Sequence, residues 1–334
     1  MSQYFTSLRN RPLQKYMSGQ TETEAISMKS KDVGRILPET DLAYECLSSD
    51  GRGGKADRDG IECSERQESG ITVTRLWVKN AAGAEKIGKP AGHYLTADIG
   101  QLWHEGSRAR ENARSVVATL IRETIYAAAG ESVLKSGCIL LAGLGNRAVT
   151  ADALGPRCVD AATVTRHIKS QDPALFKRLG SAELAALAPG VVGQTGIETA
   201  EFVKGACQGV GAALVIAIDA LAARSTERLG TTVQICDTGI SPGSGIGNRR
   251  AEISSATLGA PVIAIGVPTV VSAATLVLDT LEQAGTDSLT PELESALRGK
   301  RDFYVSLRES DEAVTVLASL ISGALSDVLG TGFI

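Results

Sequence analysis

The stretch Cys138–Pro156, CILLAGLGNRAVTADALGP, decides the fold of this chain. It begins with a run of apolar residues and turns at Gly143-Leu144-Gly145-Asn146. A short polar loop then carries Asp152. A buried strand that ends in a tight turn and presents an acid is typical of open α/β sheets, which place reacting groups at the carboxyl ends of their strands. The stretch therefore predicts a central strand with a functional carboxylate close behind it.

A second stretch downstream repeats this arrangement. Residues 214–218, LVIAI, read as another buried strand, and Asp219 follows directly. If the two strands are neighbours, Asp152 and Asp219 lie close together. Two carboxylates at close range do not both ionise easily, so one takes up a proton and can act as an acid while the other acts as a base on water. An acid pair can equally bind a divalent metal that activates water.

The remaining pattern predicts an α/β domain of three layers, with a mostly parallel sheet and helices on both faces. Apolar strand runs alternate with helical stripes along the chain. The predicted strands are 71–78, 93–99, 138–143, 213–219, 231–236, 261–267 and 303–307, and the predicted helices are 104–129, about 152–168, 182–187, 268–281 and 311–329.

Composition excludes several functional classes. The chain has 334 residues, 43% hydrophobic and 22% charged, with a net charge of −4 that offers no attraction for nucleic acid. No apolar run approaches 18 residues and the first residues lack the apolar core of a secretory signal, so we expect a cytoplasmic protein without membrane association. The six cysteines form no CxxC pair, which favours buried, reduced thiols.

Two glycine-rich segments keep a nucleotide-binding alternative open. Gly143–Ala148 fits the pattern GxGxx(G/A), but no helix begins directly after it and no acid follows at the usual distance. Within the long loop Asp237–Asn248, DTGISPGSGIGN, residues 243–247 resemble a phosphate-binding loop without the expected lysine. Long loops of this kind are often functional.

Several motifs together resemble the germination proteases of spore-forming bacteria, endopeptidases that degrade small acid-soluble spore proteins. The matching stretches, in order over most of residues 71–275, are GHYLT (92–96), GLGN…TADALGP (143–156), VTRH (164–167), LAPGVVGQTGIET (187–199), VIAIDALAARS (215–225), DTGISPGSGIGNRR (237–250) and LGAPVIAIGVPTVV (258–271).

The resemblance implies an atypical aspartic-type peptidase whose catalytic pair falls on Asp152 and Asp219. It also implies a homotetramer without a cofactor, located in the cytoplasm of the spore core. The family's fold is similar to that of the hydrogenase-maturation endopeptidases, in which a Gly-x-Gly-Asn loop and a later aspartate bind a metal. A metal-dependent processing peptidase therefore stays open as an alternative, with Asp152, Asp219 and Glu198, and also His167 or Asp237, as candidate ligands.

The family is made as a zymogen, and the segment Glu39–Glu45, ETDLAYE, supports this. It resembles the family's substrate consensus of an acid, a large apolar residue, Ala, any residue and Glu. We therefore expect self-cleavage between Asp41 and Leu42. The propeptide would be residues 1–41, and residues 42–334 a single catalytic domain with the glycine-rich loop at 237–250 and a polar linker at about 284–301.

Substrate contacts are expected from two sources. Backbone N–H groups of the turn that contains Gly145 and Asn146, and of the loop 237–248, are expected to bind the substrate or a developing oxyanion. The guanidinium groups of Arg224, Arg249 and Arg250 are expected to recognise the substrate's acidic residues, since arginine pairs well with carboxylates.

Overall fold

The protein is described by a computed structural model that covers residues 40–48, 60–246, 250–285, 290–298 and 303–332. Its strands are β1 (Ile61–Glu68), β2 (Ile71–Val78), β3 (Gly92–Asp98), β4 (Cys138–Gly143), β5 (Glu183–Leu187), β6 (Ala212–Ala223), β7 (Thr232–Cys236), β8 (Val262–Ser272) and β9 (Tyr304–Ser306). Its α-helices are α1 (Ala43–Ser48), α2 (Ala81–Ile87), α3 (Ser107–Ala129), α4 (Val133–Ser136), α5 (Leu154–Ala161), α6 (Arg166–Gln171), α7 (Pro173–Leu179), α8 (Val192–Thr195), α9 (Thr199–Val210), α10 (Ser255–Leu258), α11 (Ala273–Gln283), α12 (Pro291–Arg298) and α13 (Ser310–Leu329).

One sheet joins all nine strands of the described residues in the order β1-β2-β3-β7-β8-β6-β4-β5, with β9 added beside β8. Strands β5, β4, β6 and β8 run parallel to one another. Strands β1, β2, β3 and β7 add antiparallel pairs, and β7 joins the two parts by pairing antiparallel with β8. The predicted α/β class is confirmed, but the sheet is mixed rather than mostly parallel. The reason is local: β1 and β2 are joined by a tight turn at Ser69-Gly70, both with positive φ, and such a hairpin makes antiparallel neighbours.

Helices cover both faces of the sheet, as predicted. On one face α3, α5 and α13 pack together over the apolar side chains of β4, β6, β7 and β8. On the other face α9 and α10 cover β4, β6 and the start of β8. Helix α13 is long and apolar enough to meet the length and composition of a membrane span, yet most of it is buried inside this domain, so it reads as a core helix.

Four predictions from the sequence are corrected by the structure. Residues 183–187 form β5 rather than a helix, because the segment ELAAL pairs with β4. Strand β8 continues through Pro268, where a helix was predicted to begin. The proline is tolerated because the ladder to β6 shifts register beside it. Strand β6 continues past Asp219 to Ala223, so this aspartate lies within a strand and not at its end. Helix α12 lies inside the predicted polar linker.

Candidate active site

The turn after β4 positions Asp152. Gly145 has a φ of +110°, and a Cβ at this position would come within 2.1 Å of the Asp152 backbone oxygen. This close approach lets the Asn146 N–H donate to Asp152 Oδ2 at 2.7 Å. Burial raises the pKa of the Asp152 carboxyl, and the Asn146 N–H acts in the opposite direction. Asp152 itself ends a single 3-10 turn, Thr150–Asp152, just before α5.

The hydrogen bonds of Asn146 hold Asp152 and the turn around it. Its N–H is used by Asp152, and its side-chain Oδ1 accepts from the Ala148 N–H at 3.0 Å and from Gln194 Nε2 at 2.8 Å. Gly145 and Asn146 were predicted to bind substrate directly. In the structure their contacts fix the conformation of the acid-bearing turn.

Asp219 lies on β6 opposite Gly266 of β8 and is 6% exposed. The N–H of Ala220 donates to its Oδ1 at 2.9 Å. Burial raises the pKa of the Asp219 carboxyl well above its usual range, and the nearby charges of Asp152 and Asp41 raise it further. The two predicted aspartates are therefore close enough to interact electrostatically. A third carboxylate, that of Asp41, also lies close to Asp219. It belongs to the substrate-like segment Glu39–Glu45.

That third acid, Asp41, is bound by both its backbone and its side chain. Its N–H donates to the Ala222 carbonyl at 2.9 Å, and the Ala222 N–H donates to Asp41 Oδ2 at 2.9 Å. Ser244 Oγ donates to Asp41 Oδ1 at 2.6 Å. Gly245 lies directly beside the carboxylate, since a Cβ there would come within 2.3 Å of Asp41 Oδ2. The acid thus occupies a fitted pocket made by β6 and the glycine-rich loop.

The next two residues are buried. Leu42 is fully buried among Leu221, Ala223, Leu229 and Val271. The Ala43 N–H donates to Gln234 Oε1 at 2.7 Å, and Gln234 Nε2 lies 3.3 Å from the carbonyl oxygen of Asp41. One side chain of β7 therefore contacts the backbone on both sides of Leu42.

Glu45 fills a second acid pocket, and it is 6% exposed. The backbone N–H groups of Arg224 and Ser225 donate to its two carboxylate oxygens at 2.7 and 3.0 Å, and Thr40 Oγ1 donates as well. The Arg228 guanidinium lies 3.7 Å from Oε1. Burial raises the pKa of the Glu45 carboxyl, and these hydrogen bonds and the Arg228 charge oppose the shift.

The predicted arginine contacts differ in detail from what the structure describes. Arg224 contributes its backbone N–H to Glu45. Arg250 forms an ion pair with Glu198 at 3.5 Å, and Arg249 lies outside the described residues. The guanidinium near a segment carboxylate is that of Arg228 on the turn after β6.

The candidate metal ligands do not gather around the aspartates. Glu198 pairs with Arg250, and Asp237 Oδ2 lies 2.7 Å from Nδ1 of His93. Within the ranges that the structure describes, no group of three or more His, Cys, Asp or Glu side chains is arranged to hold a metal ion.

Sequence reasoning missed three contributors: Gln234, Ser244 and Arg228. Gln234 carried a usable signal, because it stands inside the apolar run TVQIC at a position that the structure buries. A lone amide within a buried strand needs hydrogen-bond partners, and that need marks it as a candidate. Ser244 and Arg228 lie in turns, where no sequence pattern distinguishes a residue that contacts the segment from one that is exposed to solvent.

Comparison with known proteins identifies the family of this chain. A family model described as germination protease matches residues 40–286. The chain belongs to the germination protease family. The germination protease of Caldanaerobacter subterraneus is 42% identical over 275 residues, which are 81% of this chain and 81% of that protein. Those of Bacillus cereus and Clostridium perfringens are 41% and 38% identical, covering 75% and 87% of this chain and 68% and 87% of the relatives.

The resemblance inferred from the motifs is therefore confirmed, and the protein is a peptidase of spore germination. The matched range begins at residue 40, so it includes the docked segment together with the aspartate pair. The metal-dependent and nucleotide-binding alternatives are not favoured. A solved structure of the [NiFe] hydrogenase maturation protease HycI from Thermococcus kodakarensis is also similar, with 14% identity over 62% of this chain and 99% of that one. Its TM-score of 0.31 is too low to establish a shared fold.

Proposed function

We propose that this germination protease is a self-processing zymogen that uses Asp152 and Asp219 as an acid–base pair. The observation that carries the proposal is the docking of residues 40–45. A substrate-like segment fills two acid pockets, and the charge of its Asp41 contributes to the raised pKa of Asp219. The bond predicted to be cut, Asp41–Leu42, directly follows the carboxylate that interacts with Asp219.

The different surroundings of the two aspartates support different roles. Asp219 is buried beside two other carboxylates and lacks a countercharge among its described partners, which favours its neutral form. Both acids accept one backbone N–H, but no neighbouring carboxylate adds to the raised pKa of Asp152, so Asp152 ionises more readily than Asp219. Pairs whose environments push their pKa values apart divide into acid and base.

The proposed reaction follows from these roles. Ionised Asp152 takes a proton from a water molecule, and the water oxygen adds to the carbonyl carbon of Asp41. Protonated Asp219 gives its proton to the nitrogen of Leu42 as the C–N bond breaks. The products are a carboxyl group on Asp41 and a new amino terminus on Leu42. The same steps would then cleave small acid-soluble spore proteins at acid–(Leu/Ile/Phe)–Ala–x–Glu sites.

The docked segment also supports the substrate class. A protein that binds its own Asp-Leu-Ala-Tyr-Glu through both acids offers the same pockets to any chain with that pattern. We further propose that the protein works in the spore core as a homotetramer, which the family resemblance implies and which native mass spectrometry of the full-length chain would test.

The deciding experiment is intact mass over time for the purified full-length protein at mildly acidic and neutral pH. Wild type would be compared with Asp152→Asn and Asp219→Asn. We expect loss of residues 1–41 in wild type and no loss in either variant. Equal processing in the variants would exclude the aspartate pair, and no cut at Asp41–Leu42 in wild type would exclude self-processing there.

A further inference from the structure

Gln234 contacts the carbonyl of the bond that the proposed function would cut. Its Nε2 lies 3.3 Å from the carbonyl oxygen of Asp41, and its Oε1 accepts from the Ala43 N–H at 2.7 Å. We propose that Gln234 is a catalytic residue, whose amide stabilises the negative charge that develops on this carbonyl oxygen when water attacks. The inference rests on the proposed function, because it takes Asp41–Leu42 as the cleaved bond.

The orientation of the Gln234 amide follows from its partners. The Ala43 N–H can only donate, so the atom that faces it must be the acceptor Oε1. The carbonyl oxygen of Asp41 can only accept, so the atom that faces it must be the donor Nε2. The two contacts thus fix the amide in the one orientation that polarises the carbonyl.

The sheet register places Gln234 and Asp219 on the same face. Gln234 pairs with Gly266 across β7 and β8, and Asp219 pairs with the same Gly266 across β6 and β8. Paired residues on neighbouring strands point to the same side, so the two side chains flank a glycine at a spacing of two strands, about 10 Å between their Cα atoms. A peptide on this face of the sheet can therefore contact both the amide and the acid.

The glycine between them is required for this arrangement. A Cβ on Gly266 would come within 2.5 Å of side-chain carbons of Leu221. Leu221 therefore occupies the space above Gly266, and it belongs to the cluster that buries Leu42. Leu42, the residue after the proposed cut, therefore packs against β6, which carries Asp219, and β8, which separates β6 from the strand of Gln234.

The hydrogen bonds of Gln234 matter energetically because its amide is buried. Gln234 is 6% exposed, and within the described part of the chain both hydrogen bonds of its amide go to residues 41 and 43. A buried amide without partners is unfavourable, so removal of the segment leaves a site that requires a carbonyl and an N–H at this spacing. A donor fixed in a site away from water stabilises an oxyanion without reorganising, and removal of one such donor typically lowers kcat about 10²–10³-fold.

The test uses the full-length chain with Gln234→Met, which keeps the length of the side chain and removes the amide. Self-processing is followed by intact mass, and docking is followed by hydrogen exchange of the peptide that contains residues 40–48. Thr96→Val is the matched control, because Thr96 is buried beside Gln234 in the sheet register. We expect Gln234→Met to process about a hundredfold more slowly while residues 40–48 stay protected, and Thr96→Val to process like wild type.

Two results would overturn the assignment: a Gln234→Met chain that processes at the wild-type rate, or a loss of rate that only matches a loss of protection at residues 40–48. The second result would make Gln234 a docking residue. If Gln234→Met does not fold, Gln234→Asn gives the same test, since its amide is one carbon too short to span both contacts. Asp219→Asn in parallel separates the two hypotheses. Processing by that variant would remove the proposed function, whereas an inactive Asp219→Asn beside a fully active Gln234→Met would remove only this inference.

Discussion

The two halves of the sheet contribute different things to the site. The parallel half, β5, β4, β6 and β8, carries Asp219 on β6 and positions Asp152 after β4. The antiparallel half begins at β7 with Gln234, and α1 packs over β2 and β3. The substrate-like segment contacts both halves, because Asp41 binds Ala222 of β6 and Ala43 binds Gln234 of β7. The two proposed catalytic acids and the amide that contacts the segment backbone therefore come from opposite sides of β8.

The largest effect is expected from substitution of the two aspartates that the parallel half positions. Asp152→Asn and Asp219→Asn should each slow self-processing by roughly 10²–10⁴-fold, because each removes one proton transfer. The double variant should be no slower than the slower single variant, since residues that act as a unit are not additive. Intact mass of the three full-length variants over several days measures the rates. A double variant slowed by the product of the single effects would mean that the two acids act independently.

The parallel half was also the predictable half. The run CILLAG and the run LVIAI are too apolar and too short for anything but buried strands, and each leads to an aspartate. The sequence did not predict that β6 continues to Ala223, because residues 220–223 have the same apolar composition as a helix start. The backbone N–H and carbonyl of Ala222 instead bind Asp41, a partner 181 residues away along the chain.

The antiparallel contribution was harder to predict for a physical reason. Gln234, Ser244 and Arg228 act through single contacts with a distant segment, and no periodicity carries such information. The arginines were predicted from charge complementarity alone. At Glu45 two backbone N–H groups lie closer to the carboxylate than the nearest guanidinium does, and backbone donors exist at every position in a sequence.

A smaller effect is expected where the glycine-rich loop meets the segment. Gly245→Ala places a methyl group within van der Waals distance of the Asp41 carboxylate, so the acid must leave its pocket. Self-processing should slow roughly tenfold to a hundredfold, on the order of 1.4–2.7 kcal/mol. Hydrogen exchange of residues 40–48 should rise in parallel.

The matched control is Gly205→Ala, at an exposed helix position where an added Cβ meets no atom within 4 Å. It should process like wild type. A Gly245→Ala chain that processes normally would show that the Asp41 pocket is not used during cleavage.

A variant of Glu45 tests whether the pocket at the far end of the segment contributes to self-processing. Glu45→Gln keeps the shape of the side chain but replaces one carboxylate oxygen, which accepts from the N–H of Arg224 or Ser225, with an NH2 group that can only donate. A buried N–H that is left without its acceptor costs about 1–3 kcal/mol, so processing should slow by roughly tenfold. Glu85→Gln, an exposed residue on α2, is the control and should leave the rate unchanged. An equal effect of both variants on the rate would point to net charge instead of the pocket.

The smallest effect concerns stability and sharpens the contrast between the two acids. The folded-state pKa of Asp219 is raised by burial and by the charges of Asp152 and Asp41, so at neutral pH the unfolded state, in which this carboxyl ionises freely, is favoured relative to the folded state. Asp219→Asn cannot ionise in either state, so it removes this penalty and should raise the melting temperature at pH 7.5, each pKa unit of difference being worth about 1.4 kcal/mol. As the pH falls through the raised folded-state pKa, wild-type Asp219 takes up a proton and the gap between the two melting temperatures should close.

Differential scanning calorimetry at several pH values measures this gap. Intact mass confirms that the chains are unprocessed, and Glu85→Gln is the control. A gap that is absent at pH 7.5, or that widens on acidification, would mean that Asp219 is charged and stabilised in the folded protein, and the proposed acid would have to be Asp152 instead.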